Sequence, residues 1–289
     1  MSDVVTLGLG SVQFGLAYGV VGRDAPVRES EVHEILASAW QGGIRLIDTA
    51  PVYGDIEERL LALCDAKNFE FVSKVPALPA DANADVAGFV RGSIERSRHR
   101  LGGGLRTLLF HRGEDLLGER GERAWHAASD SLAGTKIRLG GSFYSPAAAA
   151  SAHAKFPLAV AQLPGNVFDQ RLATTNAAAL AGVEIHLRSV FLQGLLIDPP
   201  ASALRRIPKA VPPLAAWRDW CAKHEISPLR ASLGVARGLP GVRCCLVGVD
   251  GVAHLREILA AWNQAPVLAV PALACDDEEI IDPRRWKVA

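Results

Sequence analysis

The sequence lacks the features that would associate it with nucleic acid, a membrane or export from the cell. Lys plus Arg and Asp plus Glu are both 31, so a formal net charge of zero gives no electrostatic footprint for nucleic acid or an anionic membrane. The most apolar later region, residues 147–160, is interrupted by His153, Lys155 and Pro157 and cannot span a bilayer. The first residues lack the basic segment and long apolar run of a secretory signal, which predicts a cytoplasmic protein.

Cysteine is scarce, and its spacing is not that of a metal site. The five cysteines are Cys64, Cys221, Cys244, Cys245 and Cys275. An odd number in a chain of this length is typical of reduced, cytosolic thiols. The sequence therefore predicts no metal, and we interpret the adjacent Cys244 and Cys245 as buried strand residues rather than as a redox switch.

Apolar residues, by contrast, are plentiful and regularly spaced. They make up 49% of the 289 residues, against 21% charged residues, so the chain can build a sizeable core. Apolar runs typical of strands alternate with helical patterns along the chain. The predicted strands are residues 4–9, 44–47, 69–73, 107–110, 136–142, 158–163, 183–189 and 242–249. This alternation predicts an α/β protein with a parallel sheet, and eight units of this length predict a closed (β/α)8 TIM barrel.

We interpret residues 1–289 as a single barrel domain in which residues 265–289 form a C-terminal tail. The tail is expected to pack on the side of the barrel, the alternative being that Trp286 forms a wall of the pocket. An open doubly wound sheet is the competing fold. Against it, the first strand is not followed by Gly-x-Gly-x-x-Gly, because Gln13 stands where the third glycine belongs.

The stretch 43–54 organises the rest of the chain. Its predicted strand ends on Asp48, and Tyr53 follows five residues later beside a turn glycine. The next two apolar runs end on Lys74, 26 residues after Asp48, and on His111, 37 residues after Lys74. Each step is close to one βα unit, since a barrel of ~250 residues holds eight. Three consecutive strands would therefore bring these four side chains to the rim where barrel enzymes carry their chemistry.

Taken singly, each of the four has an ordinary structural explanation, but together they make chemical sense. An unperturbed tyrosine has a pKa near ~10 and donates a proton poorly at neutral pH. A nearby ammonium lowers that pKa, and a buried lysine needs a counter-ion of its own, so Asp48 would hold Lys74 and Lys74 would tune Tyr53. His111 would orient a substrate oxygen. The set predicts proton transfer to or from an oxygen, which a hydride carrier would complete.

These motifs resemble the signature of the aldo-keto reductases. The likeness is carried by stretch 43–54 with Glu57, by Ser73 and Lys74, by the strand end at His111, and by three later segments. Those segments are Leu139-Gly140-Gly141-Ser142, Gln162 with Asn166, and Arg188 to Gly194. The resemblance implies a (β/α)8 barrel with the catalytic tetrad Asp48, Tyr53, Lys74 and His111. It also implies an NAD(P)-dependent reduction of an aldehyde or ketone to an alcohol, or the reverse.

The resemblance further implies where the cofactor binds. Ser142 and Gln162 should hold the nicotinamide carboxamide, and the segment from Arg188 should border the ring and the pyrophosphate. The implied set is Gly10, Ser11, Asp48, Ser142, Gln162, Arg188, Ser189, Phe191, Gln193, Gly194, Gly248 and His254. Arg188 replaces an aromatic that stacks on nicotinamide in many relatives, and a guanidinium plane can stack in a similar way. Phe143 replaces an Asn that often accompanies the Ser.

The choice between NADP and NAD depends on the loop after the last strand. Many relatives bind the 2′-phosphate of NADP with Lys, Ser and Arg in this loop, whereas this chain has Asp250 and His254 there. Ile258 replaces the Asn that often binds adenine. Asp250 would repel a phosphate, but the family at large favours NADP. We therefore expect NADP as the cofactor, with NAD as the alternative.

Three other functions stay open at this point. The site could retain its cofactor for a transient oxidation, as in an epimerase or eliminase. A regulatory barrel could bind a nicotinamide nucleotide without net turnover, and a non-redox barrel could bind a phosphorylated ligand after the seventh and eighth strands. The expected partner is a small carbonyl compound or alcohol, with no nucleic acid and no membrane. The oligomeric state is not predicted, although relatives are often monomers.

Overall fold

Each apolar run predicted as a strand forms one in the computed structural model, which describes residues 4–19, 24–65, 67–81 and 83–286. The described residues form eight parallel strands that close into a barrel in chain order, with β8 paired to β1. This confirms the predicted (β/α)8 barrel. The strands are β1 Thr6–Gly10, β2 Leu46–Asp48, β3 Glu70–Val75, β4 Leu105–Phe110, β5 Arg138–Ser142, β6 Val160–Pro164, β7 Glu184–Arg188 and β8 Val242–Gly248.

Helices and short 3₁₀ turns connect the strands and cover the barrel. The helices are α1 Val12–Gly15, α2 Glu29–Gln41, α3 Ile56–Leu63, α4 Val86–Leu101, α5 Gly121–Leu132, α6 Pro146–His153, α7 Arg171–Thr174, α8 Ala201–Arg206, α9 Val211–Lys223, α10 Pro228–Gly238, α11 Val252–Gln264 and α12 Glu278–Ile281. The 3₁₀ turns are Gly102–Gly104, Gly113–Leu117, Ala177–Leu180, Leu192–Gly194, Pro208–Ala210 and Pro283–Arg285. Within the described ranges, none of the helices has the length and apolar character needed to cross a membrane.

Strand β2 begins two residues later than predicted, for a reason that lies in the preceding helix. Gly43 has a left-handed φ of 87° and ends α2, and its amide donates to the carbonyl of Trp40. The amide of Ile44 donates back to the carbonyl of Ala39. These bonds satisfy carbonyls at the helix end. Ile44 is therefore buried as part of the helix cap rather than as a strand residue.

The core is divided between the inside and the outside of the barrel. Inside, Val72, Leu109 and Val160 pack together and fill the barrel beneath the polar ends of the strands. Outside, a large apolar cluster lies between the strands and the helices. A second cluster contains Trp217 and Trp286. Up to Trp286 the tail packs against this second cluster, which also contains Phe168 and Leu192 from the loops after β6 and β7, while residues 1–3 and 287–289 lie outside the described residues.

Candidate active site

Three neighbouring strands bring polar side chains to one end of the barrel. Asp48 is the last residue of β2, Lys74 is the last but one of β3, and His111 directly follows β4. Because the strands are parallel and adjacent, these residues lie at the same carboxyl-terminal rim. Tyr53 lies on the loop after β2. The structure therefore brings together the four residues predicted from the sequence.

Two glycines allow the Tyr53 loop to pack closely against the loop after β1. Gly54 has a left-handed φ of 66°, and a Cβ atom at this position would lie 2.6 Å from the carbonyl oxygen of Gly15. A Cβ atom on Gly15 would lie only 1.8 Å from the carbonyl oxygen of Tyr53. No side chain larger than hydrogen fits at either position without backbone movement. This close approach fixes the position from which Tyr53 projects.

Lys74 is the centre of the hydrogen-bond network. Its ammonium Nζ donates to Asp48 Oδ2 at 2.7 Å, to the carbonyl of Thr49 at 2.9 Å and to Tyr53 Oη at 3.4 Å. The second carboxylate oxygen of Asp48 accepts from Gln162 Nε2 at 2.7 Å. Lys74 is 1% exposed and Asp48 6%, so both charges are removed from water and each is compensated. Ser142 Oγ extends the network by donating to Gln162 Oε1 at 3.1 Å.

The network sets the protonation states of its members. Burial lowers the pKa of Lys74, but the interactions with Asp48 and Tyr53 together outweigh burial and leave the pKa above its ordinary value. Burial raises the pKa of Tyr53, and the ammonium of Lys74 offsets only part of that increase. Lys74 thus lowers the pKa of Tyr53 as expected, but desolvation of the phenolate is the larger effect, and the net pKa lies above the ordinary value. At neutral pH the site holds an ammonium and a protonated phenol.

His111 lies against Tyr53. The two rings meet edge to face, with centroids 5.8 Å apart and planes at 88°. The backbone amide of His111 donates to the carbonyl of Val75 at 2.9 Å, which holds the residue at the end of β4. Burial and the neighbouring charge of Lys74 lower the pKa of His111 to about 4. The imidazole is thus neutral at physiological pH.

A cavity of about 370 Å³ opens beside this network. Most of the residues that the sequence assigned to the site line it. They are Gly10, Asp48, Tyr53, Gln162, Arg188, Ser189, Phe191, Gln193, Gly194, Gly248 and His254. Lys74, His111, Ser11 and Ser142 are not among the lining residues. Lys74, Ser11 and Ser142 are buried behind the surface, where the amide of Ser11 donates to the carbonyl of Asp48 at 2.9 Å.

Several lining residues were not predicted. They include Gln13, Tyr18, Asp198, Leu229 and Glu257. Tyr18 Oη accepts from Gln193 Nε2 at 3.3 Å, so the loop after β1 touches the loop after β7. Gln13 Oε1 is buried without a hydrogen-bond partner. In the sequence, Tyr18 is marked only as an aromatic residue in a glycine-containing loop, and Gln13 only as the residue that replaces a glycine of the dinucleotide-binding motif.

The loop after β7 has an unusual backbone where it borders the cavity. Ser189, Leu192 and Gln193 have φ values of 61°, 47° and 53°. Among the described residues, Glu225 is the one other non-glycine residue with positive φ. Left-handed conformations cost energy for residues with a Cβ atom and are concentrated at ligand-binding sites. The backbone therefore marks this loop as part of the site independently of its side chains.

Arg188, at the end of β7, lies against the ring of Tyr144, which also contacts Arg284 in the tail. Its Nη2 donates to the carbonyl of Phe143 at 3.1 Å, and its guanidinium lies 4.4 Å from the ring centroid of Tyr144. The guanidinium of Arg284 lies 3.2 Å from the same centroid and is paired with Asp282. The tail thus reaches the site through Arg284. Trp286 does not line the cavity, so its alternative role as a pocket wall is wrong.

The sequence model of the aldo/keto reductase family matches residues 6–268, most of the chain. The chain belongs to the aldo/keto reductase family. Membership of this family implies an NAD(P)H-dependent carbonyl oxidoreductase in general terms. A search of curated proteins gave no match. Among the described residues, no group of three or more His, Cys, Asp or Glu is arranged to hold a metal ion.

Solved structures of aldo-keto reductases have the same fold. Two structures assigned to a candidate aldo-keto reductase of Pseudomonas aeruginosa are 26% and 25% identical to this chain, with TM-scores of 0.64 and 0.62. The first match covers 90% of both chains, and the second covers 90% of this chain and 89% of the other. The holo form of aldo-keto reductase AKR11C1 from Bacillus halodurans has a TM-score of 0.75 at 15% identity. That match covers 96% of this chain and 94% of the other, and at this identity it shows the fold alone.

Proposed function

We propose that the protein transfers hydride between NAD(P)H and an aldehyde or ketone, or runs the reverse on an alcohol, with Tyr53 as general acid and base. The observation that carries the proposal is the position of Lys74 Nζ, 2.7 Å from Asp48 Oδ2 and 3.4 Å from Tyr53 Oη. This contact lies at a cavity large enough to admit part of a dinucleotide and a small substrate. No metal or covalent nucleophile is needed for this chemistry.

The lining residues fit a nicotinamide nucleotide. A Cβ atom on Gly10 would have the carbonyl of Val247 as its nearest neighbour at 3.7 Å, so a ligand can approach the backbone there. The partnerless oxygen of Gln13 suits a ligand N–H or O–H group. In our proposal Ser142 and Gln162 hold the carboxamide, and Arg188 lies against the nicotinamide ring. The other implied cofactor contacts stay predictions. When bound, the cofactor supplies the hydride.

The protein's own residues manage the proton. In the reducing direction the carbonyl oxygen gains negative charge as hydride reaches the carbon, and Tyr53 donates its proton to that oxygen. The phenolate left behind is stabilised by the ammonium of Lys74, which Asp48 keeps charged. Neutral His111, beside the Tyr53 ring, donates an N–H to the same substrate oxygen. In the reverse direction the phenolate accepts the proton from the alcohol.

A two-step experiment tests this function. Protein fluorescence is first titrated with NADH and with NADPH, and the protein is then assayed with a panel of aldehydes and ketones. We expect the nucleotide to bind, and one equivalent of reduced nucleotide to be oxidised for each equivalent of alcohol formed. Tight binding with no turnover of any carbonyl would favour a regulatory barrel instead. Conversion of a substrate without net consumption of nucleotide would favour a transient oxidation.

A further inference from the structure

We propose that Arg188 makes the cavity prefer the reduced nicotinamide nucleotide over the oxidised one, so that the protein takes up NAD(P)H and expels NAD(P)⁺. Since it concerns the redox state of the bound nucleotide, this preference rests on the proposed function. It adds a direction to that function, because a site that holds the reduced form and releases the oxidised form is suited to carbonyl reduction.

Arg188 brings a positive charge to the cavity that no ion pair neutralises. It is the one lysine or arginine among the described residues that line the cavity. Its guanidinium donates to the carbonyl of Phe143 at 3.1 Å and to Ser189 Oγ at 3.5 Å, and no described carboxylate pairs with it. Asp282, whose pKa is lowered in part by the charge of Arg188, is paired with Arg284 instead, at 2.6 Å.

The segment after β5 holds this guanidinium in place. The Phe143 carbonyl accepts its hydrogen bond, and its central carbon lies 4.4 Å from the ring centroid of Tyr144. The backbone of Tyr144 is fixed in turn, because its amide donates to Glu114 Oε1 at 2.8 Å and its carbonyl accepts from Arg171 Nη2 at 2.9 Å. The charge of Arg188 therefore stays at the wall of the cavity.

The charge lies at the end of the cavity that contains Tyr53. Besides burial, the pKa of His111, whose ring meets that of Tyr53, responds to three charges, those of Lys74, Asp48 and Arg188. Lys74 and Asp48 form an ion pair at 2.7 Å and largely cancel each other. The positive charge of Arg188 is therefore left unbalanced at this end.

The other carboxylates of the cavity lie further along it. Asp198 belongs to the region after β7, and Asp250 and Glu257 follow β8. None of the three is among the charges that influence the pKa of His111. Electrostatic interactions weaken with distance, so these carboxylates offset Arg188 least at the Tyr53 end.

The two redox states of the nucleotide differ in charge at the nicotinamide ring. The ring is positively charged in NAD(P)⁺ and neutral in NAD(P)H, while the phosphates of both forms are the same. Hydride transfer requires the ring to lie beside the carbonyl whose oxygen Tyr53 protonates, which places it at the same end as Arg188. A fixed guanidinium at this end therefore repels the oxidised ring and leaves the reduced ring unaffected.

This repulsion favours turnover in one direction. The reduced nucleotide binds without it, and the repulsion arises only when hydride has left and the ring has become charged. A tenfold preference for the reduced form corresponds to a rise of about 30 mV in the midpoint potential of the bound couple. Oxidation of an alcohol would have to begin from the weakly bound form.

Nucleotide titrations measure this preference without using turnover. Protein fluorescence is followed with NADH, NAD⁺, NADPH and NADP⁺, and the Kd of the oxidised form is divided by that of the reduced form. For the pair that binds more tightly we expect a ratio of about ten or more. A contact of Arg188 with the pyrophosphate would change both Kd values alike and would cancel from the ratio.

Three variants of one residue test the assignment to its charge. In Arg188→Met and Arg188→Gln the ratio should fall by at least about threefold, whereas Arg188→Lys, which keeps the charge, should retain more of it. The matched control is Arg98→Met, which removes an exposed arginine on α4 and should leave the ratio unchanged.

The possible results separate this preference from the proposed function. A wild-type ratio of one or less would overturn the preference and leave the oxidoreductase assignment intact. A ratio that Arg188→Met and Arg188→Gln leave unchanged would overturn the assignment to Arg188. Failure of the wild-type protein to bind any of the four nucleotides would overturn the proposed function and, with it, the preference.

Discussion

Strand β3 carries two buried ionic networks on its opposite faces, and only one of them borders the cavity. On the inner face Lys74 bonds to Asp48 and Tyr53. On the outer face the preceding residue, Ser73, donates from its Oγ to Glu57 Oε1. Glu57 is 1% exposed, and it also accepts from Ser97 Oγ at 2.8 Å and Arg100 Nη1 at 3.1 Å. Successive side chains on a strand point to opposite sides, which separates the two networks.

The two networks are built from similar groups, and they differ in whether a ligand in the cavity can reach them. Each has a buried carboxylate, a cation and at least one hydroxyl. In the outer network the partners come from β3, α3 and α4, and the cation Arg100, which is 25% exposed, also pairs with Glu58 at the surface. In the inner network the phenol of Tyr53 lines the cavity and can reach a ligand. A buried ion pair therefore indicates function where one of its partners faces a cavity that can hold a ligand.

Among these variants, removal of the cation from the inner network should cause the largest loss of stability and activity. In Lys74→Met the carboxylate of Asp48 stays buried without its counter-ion, so we expect the free energy of unfolding to fall by about 3–5 kcal/mol. Carbonyl reduction should fall by about 10² to 10⁴-fold, because the phenolate of Tyr53 loses its stabilising charge. Urea denaturation and steady-state kinetics measure the two effects. The double variant Asp48→Asn/Lys74→Met should recover stability but not activity; recovered activity would contradict the role given to Lys74.

The outer network should matter for stability alone. Glu57→Gln keeps the shape of the side chain but removes the charge that Arg100 and the two serines share, which should lower the free energy of unfolding by about 1–3 kcal/mol. We expect kcat/KM to stay within about threefold of wild type, a change of about 0.65 kcal/mol in activation free energy, because no member of this network lines the cavity. A large loss of activity at unchanged stability would show that the two faces of β3 are coupled.

The inner side should also show a pH dependence of stability. His111 has a folded-state pKa of about 4 against an ordinary value of 6.5, so between these values the unfolded chain binds the proton more readily. The contribution of His111 to stability is therefore complete above pH 6.5 and declines as the pH falls towards 4. Urea midpoints of wild type and His111→Asn, measured across this range, should converge as the pH falls. A difference that is constant with pH would contradict the lowered pKa.

The inner network was predictable from the sequence because it follows the order of the strands. Asp48, Lys74 and His111 end or follow consecutive apolar runs, and the rule that parallel strands end at one rim brings them together. The outer network was not predicted, because Glu57 and Ser97 are 40 residues apart and meet only when α3 and α4 pack together. Glu57 and Ser73 belong to the motifs of the family resemblance, but those motifs do not indicate that the two side chains contact each other.

The spacing of apolar residues in the sequence does not predict the remaining residues of the cavity. Tyr18 and Gln13 belong to a loop region whose course depends on contacts with other loops. The left-handed residues Ser189, Leu192 and Gln193 carry side chains that do not usually signal such a backbone. Arg284 reaches the site through the ring of Tyr144, a contact between a strand end and the distant tail. Tertiary packing, rather than local sequence preference, fixes each of these features.

The most direct test of the account is the variant Tyr53→Phe, which removes one hydroxyl from the inner network. Nucleotide affinity and carbonyl reduction are measured on the same preparation as wild type. We predict that reduction falls by about 10² to 10⁴-fold, because the variant loses the proposed proton donor, while the Kd of the nucleotide changes by less than about threefold. Undiminished reduction in Tyr53→Phe would contradict the assignment of the phenol as the proton donor.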